Sequence, residues 1–192
     1  MCLFAQLPYA AVANGYFAVH GGIPDPVPTL TELEGLRMGM VSLARELQDE
    51  SRPEVQLVWN DPAPEKVVRH RSKRGFFFND PRGIGKYYGP PAIDEFLSKN
   101  SLKGIIRGHG GTETAIQTDF GVTVITINET GPSSTLTPWV QGLLHVEDGR
   151  LRVEIFPTQE EDDENPEAPE YAHLAESRIN KELSGQLSDN GC

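Results

Sequence analysis

Two histidines stand in the same setting, His20 in Val-His-Gly-Gly and His109 in Gly-His-Gly-Gly. Each follows an apolar run and precedes glycines, which let the backbone pass close to a ligand while the imidazole is presented at a strand end. Imidazole is the commonest protein metal ligand at neutral pH, so two such histidines suit one metal site. Either alone reads equally well as a hydrogen-bonded structural residue; the repeated setting favours the functional reading. Arg74-Gly75 offers a guanidinium beside a glycine, a pairing that can hold a phosphate or carboxylate oxygen bidentately, although a basic run is also what a solvated face looks like. Asp61, after Asn60, either orients a ligand or caps its turn. His70, His145 and His173 lack the strand-to-glycine setting and stay outside the site.

The elements that must position these groups follow from periodicity and punctuation. Leu3, Phe4, Leu7, Ala10 and Ala11 recur at helical steps before Asn14-Gly15, which predicts an amphipathic helix over residues 2–13. Tyr16 to Val19 reads as a buried strand delivering His20, and Leu102 to Arg107 as a second strand delivering His109. Between them, Thr31 and Glu34 stand at capping-box spacing, residues 38–50 read as helix, Val55 to Trp59 as a strand, and Ala92 to Leu97 as a helix with Ile93, Phe96 and Leu97 on one face. Consecutive strands then fall near 114–118, 122–127, 140–146 and 151–156, with turns at Asp119-Phe120-Gly121 and Glu147-Asp148-Gly149. Helix–strand units followed by a meander predict a layered α/β or α+β domain.

Charge divides the chain unevenly. The 192 residues carry a net charge of −11, yet residues 158–192 hold 10 acids and 2 bases, so the first 157 residues carry only −3. Lys66, Arg69, Arg71, Lys73, Arg74, Arg82 and Lys86 stand against a single acid, Asp80, between positions 66 and 86. The acidity therefore argues against general nucleic-acid binding while leaving room for a local basic site. The tail from 158 lacks apolar content and is expected to be disordered, with a short helix near 171–183. No apolar run reaches the roughly 18–20 residues that span a bilayer. Cys2 and Cys192, unpaired in sequence and far apart, suit a reducing, cytoplasmic setting.

The strings His20-Gly-Gly-Ile-Pro-Asp25, Val58-Trp-Asn-Asp-Pro62, Arg74-Gly75 followed by aromatics, and Ile106-Arg-Gly-His-Gly110 resemble, in order, the C-terminal half of the phosphoprotein phosphatase family of calcineurin-like metallophosphoesterases. The resemblance covers residues 1–157. It implies the C-terminal portion of a β-sandwich flanked by helices, followed by the acidic tail over 158–192. It also implies phosphate monoester hydrolysis by a water activated between two divalent ions (Mn, Fe or Zn). By the same resemblance His20 and His109 are ligands of the second metal, Arg74 holds a phosphate oxygen, and Asp61 lines the cleft. The substrate is expected to be a phosphorylated protein or a small phosphoester; a nucleotide-directed hydrolase and a non-catalytic half-domain are the alternatives. The family's G-D-x-H-G, G-D-x-x-D-R-G and G-N-H-E motifs do not occur, since the sequence has no Gly-Asp and no Asn-His pair. A missing N-terminal half is thus an expected partner, and this chain alone is expected to be nearly inactive. The family's S-A-P-N-Y loop is replaced by Ile127-Asn-Glu-Thr-Gly-Pro132. Asp119-Phe-Gly121 matches a kinase motif but lacks its catalytic-loop partner and reads as a turn.

Overall fold

A computed structural model describes residues 8–36, 49–70, 72–109, 115–127, 140–147, 150–157 and 168–189. They belong to two units, Met1–His109 and Gly110–Cys192.

The first unit opens with a hairpin. Strand β1 (Ala10–Ala13) pairs antiparallel with β2 (Tyr16–Val19), Ala13 facing Tyr16 and Ala10 facing Val19. The helix expected over 2–13 is thus replaced by a strand at Ala10–Ala13; residues 1–7 lie outside the described residues. The reason is the loop: Asn14 and Gly15 both have positive φ, 53° and 85°, the two-residue turn that suits the twist of a hairpin. A dipeptide that also stops helices here reverses a strand.

Helix α1 (Leu30–Glu34) starts at Thr29, whose hydroxyl accepts from the Glu32 N–H while the Glu32 carboxylate accepts from the Thr29 N–H. The capping box is therefore Thr29/Glu32, two residues earlier than the expected Thr31/Glu34. The expected helix over 38–50 falls largely outside the described residues. Helix α2 (Pro53–Trp59) occupies the segment whose apolar run predicts a strand. Pro53 sits in its first turn, where a missing N–H costs nothing, and Val55, Gln56 and Leu57 are buried; a five-residue apolar run does not distinguish the two states.

Strand β3 (Asp61–Pro62) follows directly, then helix α3 (Glu65–Val68), strands β4 (Phe76–Phe78) and β5 (Lys86–Tyr88), helix α4 (Pro90–Asn100) and strand β6 (Gly104–Arg107). β5 pairs with β3 in parallel and with β4 antiparallel. β6 lies parallel to β2, with Tyr16 opposite Gly104 and Val19 opposite Arg107. Helix α4 buries Ala92, Ile93 and Phe96, and the Phe96 ring meets that of Phe17 on β2 edge to face at 4.9 Å. Tyr88, Phe17, Ile23, Leu57 and Ile105 complete the core at 0–1% exposure.

The second unit holds strands β7 (Ile116–Asp119) and β8 (Val124–Ile127), joined by the expected Asp119-Phe-Gly turn, and the antiparallel pair β9 (Val140–Glu147) and β10 (Arg150–Pro157). Its last element is the helix expected near 171–183, longer than expected: residues Ala168–Asp189 form a 22-residue helix, α5, while residues 158–167 lie outside the described residues. Ala172, Ala175, Ile179 and Leu183, spaced by three and four, are buried at 2–6% exposure against Val153 and Ile155. Burying an Ile or Leu side chain contributes about 1.5–3 kcal/mol, enough here to hold a helix of acidic composition. Average composition conceals this stripe because the acidic run Glu160–Glu164 precedes the helix. No helix of the described residues is long and apolar enough to cross a membrane.

Candidate active site

The parallel pairing of β2 with β6 sets the site. Because Val19 lies opposite Arg107, both strands end at one edge, and the ladder continues one step further as the Gly108 N–H donates to the His20 carbonyl at 3.1 Å. His109 then turns back at φ 69°, a left-handed conformation that costs a non-glycine residue on the order of 1–3 kcal/mol. The result is that His20 Nε2 and His109 Nδ1 face each other at 2.7 Å. Their rings lie at 70° and 4.7 Å, and the Trp59 indole meets His109 edge to face at 5.1 Å. Gly21 and Gly22 let the segment after His20 pack closely on its neighbours: a Cβ on Gly21 would lie 2.5 Å from the Val58 backbone, and one on Gly22 2.0 Å from the Tyr88 ring.

Both imidazoles are held neutral. Burial, then the Arg82 guanidinium, push His109 down to about 4, with smaller contributions from His20 and Arg107 and a partial offset by Asp61. Burial, Arg107 and Arg82 likewise lower His20, again offset by Asp61. An unfolded histidine titrates near 6.5, so between about pH 6.5 and 4 the unfolded chain takes up protons that the native site refuses. The histidines' contribution to stability is therefore fully present above pH 6.5 and declines as pH falls through that window, the His109 part being spent below about 4. Denaturant midpoints of the EDTA-treated chain should show this decline, and His109→Gln should flatten it; a slope unchanged by His109→Gln would refute the assignment.

Neutral imidazoles are what a metal requires. At metal–nitrogen lengths of about 2.0–2.1 Å, two nitrogens this close fit adjacent positions on one ion. Binding through His20 Nε2 and His109 Nδ1 would place the protons on the far nitrogens, and His109 Nε2 is indeed buried without a hydrogen-bond partner. Among the described residues no group of three His, Cys, Asp or Glu side chains comes together. The site thus fits a divalent ion as two of its ligands, not as a complete cage.

Asp61 lies beside this pair as the centre of a charged network. Its Oδ1 accepts from Arg107 at 2.9 Å and its Oδ2 from Asn79 at 3.0 Å, while Arg82 reaches both oxygens. Arg107, 2% exposed, also donates from Nε to the Gly21 carbonyl at 2.6 Å, and Arg82 donates to the His109 carbonyl at 3.0 Å. Two guanidinium groups against one carboxylate leave an excess positive charge next to the histidines, suited to an anion.

The structure therefore brings together three of the four residues singled out from the sequence: His20, His109 and Asp61. Arg74 is elsewhere. Its guanidinium, 67% exposed, pairs with Asp25, whose second oxygen accepts from Lys86 at 2.6 Å. The residues added by the structure are Arg82, Arg107 and Asn79. Arg82 had a signal of its own, since Arg82-Gly83 is a second Arg-Gly pair in the same basic stretch; Arg107 lies inside the Ile-Arg-Gly-His string.

Comparison with known proteins bears on this arrangement. The model of the calcineurin-like phosphoesterase family matches residues 2–110. Serine/threonine-protein phosphatase T of Saccharomyces cerevisiae is 31% identical over 108 residues, 55% of this chain and 18% of that protein. The PP2A-like serine/threonine-protein phosphatase PPG1 of the same yeast is 28% identical over 114 residues, 58% of this chain and 29% of that protein. A solved Saccharomyces cerevisiae protein serine/threonine phosphatase with similarity to human phosphatase PP5 superposes with a TM-score of 0.63 and 25% identity over 83% of this chain. The match spans half the length of that structure and less than a third of these curated relatives. With a family model matching more than half its length, and a mixed α/β structure like that of a protein phosphatase, the chain belongs to the calcineurin-like phosphoesterase family.

Proposed function

We propose that the protein is the C-terminal portion, over residues 1–157, of a metal-dependent phosphomonoester hydrolase of serine/threonine protein phosphatase type. The observation that carries this reading is the pair of neutral imidazoles facing each other beside an excess guanidinium. His20 and His109 are the ligands this chain offers to one divalent ion. Bound divalent ions supply Lewis-acid polarisation of the phosphoryl oxygens and activate water near neutral pH.

The chain's own groups do the rest. Arg82, held by Asp61 and the His109 carbonyl, presents a guanidinium to the equatorial oxygens of a phosphoryl group, where charge accumulates in an in-line displacement. Asp61 fixes the direction of Arg82 and Arg107 and balances one of their two charges. Arg74, on its Asp25 tether, serves as an outer phosphate contact. Phosphorylated proteins are the proposed substrates, on the ground that the matching relatives are named serine/threonine-protein phosphatases. A cytoplasmic location is proposed from the sequence, whose two cysteines stand at positions 2 and 192 with no C-x-x-C pair.

Two histidines cannot by themselves hold two metals. The chain supplied with manganese is therefore expected to turn over para-nitrophenyl phosphate and a phosphopeptide at no more than trace rates. Robust turnover that disappears in His20→Ala would show that these residues suffice and overturn the need for a complementary half. Tight retention of two ions per chain would remove the non-catalytic reading.

A further inference from the structure

Helix α5 does more than cover an apolar face. Asn180 Oδ1 accepts the Val153 N–H at 2.8 Å and its Nδ2 donates to the Val153 carbonyl at 2.8 Å, while the Glu176 carboxylate accepts the Ile155 N–H at 3.0 Å. Among the described residues β10 pairs with a strand on one side only, with β9. The Val153 N–H and carbonyl and the Ile155 N–H therefore point away from β9, at the outer edge of β10. A side-chain amide that gives and takes one hydrogen bond at the same residue does what a neighbouring strand would do. An open edge of this kind is a template for another strand, and proteins cover such edges.

The sequence of that edge is self-complementary. In an antiparallel pairing of two β10 strands about Val153, each Arg152 faces the second copy's Glu154, and Leu151 faces Ile155. Moving the register by two residues would put Arg152 opposite Arg152, or Glu154 opposite Glu154, which is unfavourable. Because Val153 turns both its backbone groups to the edge, the two copies would exchange both hydrogen bonds at Val153 on that axis.

We infer that the outer edge of β10 is a pairing surface for a second copy of this chain, antiparallel about Val153, and that α5 closes it through Asn180 and Glu176. Opening requires α5 to leave both the edge and the apolar stripe of Val153 and Ile155.

The test is sedimentation equilibrium of the full chain. The unaltered chain is expected to be monomeric. With α5 undocked by Ile179→Asp and Asn180→Asp it is expected to dimerise. Adding Arg152→Glu should weaken that dimer at least tenfold by placing like charges opposite each other, and combining Arg152→Glu with Glu154→Arg should restore it. An undocked chain that stays monomeric, or that associates to the same extent with and without Arg152→Glu, would overturn the inference. Should the undocked variant fail to fold, cross-linking with α5 intact decides: in a chain with Cys2 and Cys192 replaced by Ser, Arg152→Cys with Glu154→Cys should trap disulfide dimers during transient opening, faster than Arg152→Cys alone. Equal rates for the two would count against the register.

Discussion

Replacing Arg107 with alanine is expected to lower the unfolding free energy by about 3 kcal/mol, the lower end of the range for breaking a buried ion pair from one side. Arg107 is 2% exposed, and its removal takes the donor from the Gly21 carbonyl and leaves Oδ1 of Asp61 only the longer Arg82 contact at 3.3 Å. The loss stays near the lower end because Arg82 and Asn79 still reach Asp61. Adding Asp61→Asn should recover part of it, since the carboxylate left short of partners is then uncharged. Urea unfolding of the three variants checks this. If Arg107→Ala cost less than 1 kcal/mol, the network would not be holding the two strand ends in place.

Arg82 and Arg74 should separate clearly in anion binding. Charge-assisted hydrogen bonds are worth about 1.5–3 kcal/mol, so Arg82→Ala is expected to weaken inorganic phosphate at least tenfold, followed by phosphorus line broadening. Arg82 is anchored beside the histidines through Asp61 and the His109 carbonyl. Arg74 is 67% exposed, already paired with Asp25, and screened by solvent, so Arg74→Ala should change phosphate affinity less than threefold. The reverse order would make Arg74 the principal phosphate contact and Arg82 a structural partner of Asp61.

The contrast between these two arginines shows what was legible in the sequence. Both stand before a glycine in one basic stretch, and nothing local distinguishes them. What does is tertiary: the turn between β4 and β5 carries Arg82 back to Asp61 on β3. His20 and His109 were readable because their common setting, an apolar strand running into glycine, itself encodes the geometry. Their convergence depends on a parallel pairing between residues 88 positions apart, Val19 opposite Arg107 plus one step of ladder, which no local pattern contains. The two misread elements have the same origin. Ala10–Ala13 and Pro53–Trp59 are short and apolar, and their states are decided by the Asn14-Gly15 turn and by Pro53 at a helix start. In α5 a helical stripe of four apolar residues outweighs an acidic average.

The central claim is that His20 and His109 act together as ligands of one ion, through the two nitrogens that face each other. Nitrogen NMR of the imidazoles during a zinc titration tests it directly. The predicted result is that His20 Nε2 and His109 Nδ1 shift together and saturate at about one ion per chain, with affinity lost at least a hundredfold in His20→Ala or His109→Ala, beyond the 10–100-fold typical of outer-shell changes. Zinc-induced shifts confined to His70, His145 or His173, with these two unmoved, would contradict it.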